Sequence, residues 1–230
     1  MTPRFPKESA RLSLLVGVMV AAFAQPALAA KAKKPVAAPA ATASEPAAPA
    51  ARPASDTKDP QKFIGLLYER LNQLSQAAPT LDALHASIGK ELTGVVDYEE
   101  MGRLTLASRW PQQTSAEQQE FVRLLAGMVL NTYVKRFKPG NAVDLKWDGP
   151  PRTLSQGRVQ VPTVLTVKKT SADVHYAMLT KPTGWWVYDI VIDDASQVQT
   201  YRTSFKKILD KEGWPGLMTR MRKAAQKKVG

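Results

Sequence analysis

The side chains able to do acid–base, nucleophilic or metal chemistry are few. The 230 residues contain no cysteine and two histidines, His85 and His175, 90 positions apart. Thiol catalysis, a disulfide scaffold, thiolate metal sites and a lipid-modified N-terminal Cys are thereby excluded, and a His-rich metal centre lacks ligands. Tyr188-Asp189 and Asp193-Asp194 are titratable pairs near the end of the strand region. A Tyr/Asp pair in an apolar pocket is the equipment of small α+β isomerases and hydratases. Neighbours on a strand point to opposite faces, so Tyr188 and Asp189 are not expected to enter one cavity. Asp189 reads better as a carboxylate that caps a helix N-terminus or forms an ion pair. Asp193 and Asp194 read as caps for the helix carrying Ser196 and Val198.

The formal charge of +12, from 32 basic and 20 acidic residues, is unevenly spread. Residues 59–201 carry 15 of each sign, whereas residues 202–230 carry nine basic against two acidic. Lys206, Lys207, Arg220, Arg222, Lys223, Lys227 and Lys228 therefore dominate the long-range field of the folded part. Trp214 is the one aromatic residue among them, too little for a stacking surface, which points to an anionic lipid or acidic protein surface and away from nucleic acid. The plain alternative is a solvated basic helix without a partner.

Two N-terminal segments stand outside the fold. Residues 1–29 read as a cleaved signal peptide: Arg4, Lys7 and Arg11 precede an apolar stretch from Leu12 to Phe23, and Ala27-Leu28-Ala29 is a small-x-small cleavage site. At 1.5 Å per residue that stretch reaches roughly 18 Å, short of the ~30 Å hydrocarbon core that an uncleaved anchor would have to cross. Residues 30–58 form a linker; 11 Ala and 5 Pro lie between Lys31 and Ser55, a composition that forbids a continuous helix and offers nothing to a core. A single domain is expected over 59–230, opening at Asp59-Pro60, a good cap followed by a residue suited to the first helical position.

Periodicity supplies the elements of that domain. Phe63, Leu66, Leu67, Leu71 and Leu74 recur at helical spacing, then Leu81, Leu84, Ile88, Leu92 and Val95. Asp97 caps a third helix with Met101, Leu104 and Leu106, and Thr114 with Glu117 is a capping box opening a long helix to about Phe137. Past Pro139-Gly140 the period falls to 2, giving strands near 143–147, 159–167, 174–179 and 185–192, with Pro162 marking an edge or a bulge. Helical spacing returns at Val198, Tyr201, Phe205, Ile208 and Leu209, and a short helix follows from about Pro215. The class is α+β: a helical N-terminal half, a four-stranded twisted antiparallel sheet and C-terminal helices. The last strand is apolar on both parities, so either helices cover both faces or one face lines a cavity.

Three segments carry a resemblance. Asp97-Tyr98-Glu99-Glu100-Met101 runs through Trp110 to the Thr114 helix start and Leu130-Asn131-Thr132-Tyr133; Trp185-Trp186-Val187-Tyr188-Asp189-Ile190 runs on to Asp194-Ala195-Ser196; Gln199-Thr200-Tyr201-Arg202 leads to Phe205, Gly213 and Gly216-Leu217. Over about residues 59–225 the chain resembles the MlaC-type periplasmic phospholipid-binding proteins, also known as toluene-tolerance proteins. The long Ala/Pro linker and the strongly basic C-terminus depart from typical members.

The resemblance implies a monomeric periplasmic carrier, not an enzyme, with phospholipid as cargo and no cofactor. The helices and sheet would enclose an apolar lipid cavity. Its partners would be an outer-membrane lipoprotein complex and an inner-membrane ABC transporter with an MCE-domain ring, the exchange maintaining outer-membrane lipid asymmetry. A small enzyme or a ligand-free adaptor is the alternative. On this reading Trp186, Tyr188, Ile190 and Ile192 line the lipid side of the last strand, with Val161, Leu165 and Val167 on the second strand and Val129 and Tyr133 on the long helix; the opposite parity of the last strand is the competing choice. The basic C-terminal residues would dock the carrier on anionic membrane or partner surfaces.

Overall fold

A computed structural model describes residues 57–226. The signal peptide, nearly all of the linker, and Lys227 and Lys228 lie outside them.

Helix α1 spans Pro60–Ala77 and begins as its cap chemistry dictates: Asp59 Oδ1 accepts the Gln61 amide at 2.8 Å and the Lys62 amide at 3.3 Å, with Pro60 in the first turn. Phe63, Ile64, Leu67 and Leu71 form its buried stripe. Thr80 caps α2, Leu81–Val95, and Asp97 caps α3, Tyr98–Leu106. A 3₁₀ turn over Ala107–Gln112 then leads to α4, Ser115–Tyr133, where Thr114 and Glu117 complete both halves of the capping box.

Six antiparallel strands follow, two more than the periodicity predicts. They are β1 Asp144–Trp147, β2 Arg152–Thr153, β3 Val159–Val167, β4 Thr170–Lys181, β5 Gly184–Ile192 and β6 Ala195–Ser196, in the order β1-β3-β4-β5-β6 with β2 also on β3. The additional strands, β2 and β6, have two residues each, too few to display an alternation. Pro162 sits where β3 passes from one short neighbour to the other: β1 ends opposite Thr163, β2 begins opposite Gln160, and the Pro162 carbonyl accepts the Asp148 amide at 3.1 Å. Its missing N–H therefore removes no ladder bond.

The β4–β5 register contains one irregularity with large consequences. Ala177 pairs with Asp189 but Met178 pairs with Val187, so Tyr188 is an inserted residue, a β-bulge. At the far end of β5, Asp193 and Asp194 adopt φ of 46° and 65° and turn the chain into β6, the paired positive φ of a tight hairpin turn. These two aspartates do not cap the last helix, as the sequence suggests. Ser196 caps it, and Asp189 assists from the bulge. Helix α5, Gln197–Ala225, is interrupted at Gly213, whose φ of 65° and ψ of −170° are not helical, two residues before Pro215. The expected division into two helical segments falls there.

Helices α3, α4 and α5 close an aromatic core. Phe121 meets Phe205 edge-on at 5.8 Å between ring centroids, meets Trp110 at 6.4 Å and stacks on Trp214 at 5.9 Å. Gly102 permits the close approach of α3, since a Cβ there would lie 3.3 Å from the Phe121 ring.

Candidate functional site

Strand pairing decides which side chains share a surface. Val161 pairs with Tyr176, Thr163 with Val174 and Leu165 with Ala172, while Tyr176 pairs with Ile190 and Val174 with Ile192. Paired residues lie on one face. Leu145 of β1, opposite Leu165, joins them. This face is turned towards α1: the Tyr68 and Tyr176 hydroxyls are 2.6 Å apart, and the Gly65 position lies 3.7 Å from the Trp147 ring.

The face has two zones. Val161, Thr163, Val174, Tyr176, Met178 and Val187 are buried. Leu145, Leu165, Val167, Ile190 and Ile192 are only half-buried, although equally apolar. Aliphatic side chains left partly exposed on this helix-facing surface are a place where further apolar material gains free energy by settling.

Hydroxyls interrupt the apolar interior. Thr163 Oγ1 donates to the Val174 carbonyl at 2.6 Å. Burial pushes the Tyr68 and Tyr201 hydroxyls up to about 12 and carries Tyr133 and Tyr176 higher still. All four are therefore protonated donors at neutral pH. Tyr133 closes the cluster from the end of α4, with the Arg136 guanidinium 5.6 Å from its ring centroid.

The residues expected on the lipid side divide accordingly. Val161, Leu165, Val167, Ile190 and Ile192 do share the helix-facing surface, Tyr133 reaches the tyrosine cluster, and Val129 is buried on α4. Trp186 and Tyr188 do not fit the expected parity. The bulge resets the alternation, so Ile190 and Ile192 lie on the same face as Trp185 and Val187, and Trp186 lies opposite with Leu179. There Trp186 donates its indole N–H to Thr183 Oγ1 at 3.0 Å, and Lys181 Nζ sits 5.3 Å from its ring. Tyr188 is buried at the bulge under Arg158, whose guanidinium is 4.7 Å from the ring and pairs with Glu100 at 2.5 Å.

The acid–base candidates have other duties. Asp189 Oδ1 accepts the Val198 and Ile190 amides at 3.0 and 2.9 Å, and Oδ2 accepts the Ser196 hydroxyl at 2.5 Å. It caps α5, as the sequence suggests, and burial raises its pKa against these bonds. His85 lies on α2 against the Phe137 carbonyl, and His175 lies on β4, 4.0 Å from Asp148.

Sequence reasoning missed Tyr68, Thr163 and Tyr176. Tyr176 falls within an expected strand and Tyr68 one position beyond the Leu67 stripe, but nothing in spacing alone shows that their hydroxyls meet. A surface groove of about 380 Å³ lies elsewhere, lined by Glu99, Trp110, Gln118, Val122 and Arg123 among others, with no residue of the sheet.

At the basic end, Lys206 pairs with Asp210 at 2.5 Å, Arg220 with Glu212 at 2.5 Å and Arg222 with Glu120 at 2.8 Å. Lys207 and Lys223 are exposed.

Helices laid on one face of an antiparallel sheet, over an interior of aliphatic side chains and tyrosine hydroxyls, define an α+β fold. The model of the family described as MlaC protein matches residues 61–223, and the chain belongs to that family. The fold is shared with a solved phospholipid-binding protein from Ralstonia solanacearum, determined in complex with a phospholipid, at a TM-score of 0.65 and 18% identity; the match covers 73% of this chain and 97% of that one. No curated protein matches the chain in sequence.

Proposed function

We propose that the chain is a periplasmic carrier that holds the acyl chains of a phospholipid between the helix-facing side of the sheet and the helices, and moves the lipid between the outer and inner membranes. The observation that carries this reading is the half-buried row Leu145, Leu165, Val167, Ile190 and Ile192 in a member of the MlaC family. The phospholipid in the Ralstonia solanacearum neighbour supports it. Each buried methylene contributes ~0.8 kcal/mol, so two chains with ~30 methylenes carry about 24 kcal/mol of transfer free energy, which an unaided lipid would lose on entering water. A carrier must offer a surface of similar favourability and needs no catalytic group.

In this reading residues 1–29 export the chain and are removed, and residues 30–58 tether the domain. The basic end of α5 docks the monomer on an outer-membrane lipoprotein complex and an inner-membrane MCE-domain transporter, in support of outer-membrane asymmetry. Direction belongs to the energised partner, since a carrier with equal access to both membranes only equilibrates them. Organic extraction of the purified protein followed by lipid mass spectrometry tests the reading: phospholipid at near one molecule per chain is expected, and a preparation that takes up none from vesicles would overturn it.

A further inference from the structure

A few buried side-chain oxygens among the described residues have no hydrogen-bond partner, and the Tyr133 hydroxyl is one. Most of the others lie on α3 or at the start of α5, at Tyr98, Thr105 and Gln197. Asp97 Oδ2, also without a hydrogen bond, is ion-paired with Lys181 at 2.7 Å. Tyr133 stands apart because it belongs to the site. Tyr68, Tyr201 and Asp189 are within its electrostatic reach, as it is within that of Tyr176. Those neighbours are engaged elsewhere: Tyr68 and Tyr176 bond each other, and Asp189 caps α5.

The other side of the same residue is positively charged. Arg136, one turn along the chain, holds its guanidinium 5.6 Å from the Tyr133 ring centroid. It is exposed and has no ion-pair partner among the described residues. One tyrosine therefore separates an unpaired neutral donor inside from an unpaired cation outside. A phenol hydroxyl suits a carbonyl oxygen, and a guanidinium suits a phosphate. A glycerophospholipid presents the same order: hydrocarbon, then ester carbonyls, then phosphate.

We propose that Tyr133 and Arg136 form the polar anchor of the cargo, the Tyr133 hydroxyl donating to an acyl ester carbonyl and Arg136 pairing with the phosphate. This rests on the phospholipid-carrier reading and specifies how that site registers the point where the hydrocarbon ends. The carrier then distinguishes ester from ether lipids of equal chain length, because an ether has no carbonyl to accept the bond.

The test uses the full chain incubated with vesicles of isotope-labelled diacyl phosphatidylglycerol or its dialkyl ether analogue, with bound label counted by native mass spectrometry. The wild type should favour the ester about five- to tenfold, the worth of one hydrogen bond. Tyr133→Phe should lose that preference while keeping the wild-type circular dichroism and melting temperature, since the hydroxyl it removes has no protein partner. Arg136→Gln should lower uptake of both phospholipids several-fold, keep the ester preference and leave uptake of uncharged diacylglycerol unchanged. Ester preference that survives in Tyr133→Phe, or that is absent from the wild type, overturns the anchor, as does an equal loss of diacylglycerol in Arg136→Gln. A wild type that takes up none of the lipids overturns the carrier reading itself.

Discussion

Two aromatic regions of this chain are built from similar residues and end differently. Around Phe121, rings from α4, the 3₁₀ turn and α5 pack on one another, and Phe121 and Phe205 are 0% and 1% exposed. Around Tyr176 the rings belong to tyrosines, their hydroxyls are only partly paired, and the aliphatic row beside them stays half in water. Phe121 and Phe205 are wholly enclosed by the folded chain. On the proposed reading the row beside Tyr176 makes its remaining contacts with lipid, so a substitution in one region should be read mainly in stability and in the other mainly in binding.

Phe121→Ala gives the largest expected effect. Removing a fully buried ring that meets Trp110, Phe205 and Trp214 leaves a cavity that helices from three directions cannot all collapse into, at a cost of about 3–5 kcal/mol. Urea unfolding should show that loss as a lower midpoint with an unchanged slope. Lipid held per folded molecule should not change. A variant of wild-type stability would remove the aromatic core from its place in the comparison.

Ile190→Asp tests the other region. An unpaired carboxylate among acyl chains carries a desolvation cost of at least ~2 kcal/mol, which should abolish lipid retention. Half-buried Ile190 leaves room for the charge to be hydrated in the lipid-free protein, so the helical circular dichroism should survive. Val191→Asp, one residue on and opposite His175 on the other face, should retain lipid. Equal lipid loads in the two variants would show that the helix-facing surface is not the site.

That pair of substitutions also marks how far the sequence could be read. Helix starts were legible because caps are local chemistry: Asp59-Pro60, Asp97 and the Thr114–Glu117 box each act within four residues of themselves. Long strands were legible from alternation. The bulge at Tyr188 was not, because Trp185 to Ile192 is apolar on both parities and an inserted residue leaves no mark in such a run. Counting by twos from Trp186 therefore reached Ile190 and Ile192 correctly as a set but on the wrong face relative to Trp186. The same insertion removes the argument that Tyr188 and Asp189 must diverge; the Asp189 carboxylate is engaged in the α5 cap. The hydroxyl cluster depends on residues 68, 133, 176 and 201, whose meeting is a property of the tertiary packing.

The basic end of α5 contrasts with both regions, since its charges are divided between internal pairs and open solvent. Lys206, Arg220 and Arg222 are already matched by carboxylates, so the free field rests more on Lys207, Lys223 and the residues beyond. Charge reversal at Lys223, Lys227 and Lys228 should slow delivery to anionic liposomes by about 1 kcal/mol per residue near the surface and leave bound lipid unchanged. The difference should shrink as salt rises and the Debye length falls to about 8 Å at physiological ionic strength. Equal rates for wild type and variant at low salt would reduce this end to a solvated helix.

The smallest expected effect lies at the boundary between the two regions. Asp189 caps the helix that carries Phe205 into the aromatic core, and the next residue on its strand is Ile190 of the candidate site. Burial raises its carboxyl above the ordinary 3.8, outweighing the bonds from Ser196 and from the Val198 and Ile190 amides. A raised carboxyl means that the native chain binds the proton more tightly than the unfolded chain does. The contribution of this group to stability is therefore complete below pH 3.8 and is lost as pH rises through the folded-state value. Asp189→Asn removes that titration. The unfolding free energy of the wild type minus that of the variant should then fall as pH rises from 3.8 and level off above the folded-state value. A difference that rises over the same interval would mean that the cap bonds prevail over burial, making Asp189 an ordinary stabilised carboxylate belonging wholly to the closed, helical side of the molecule.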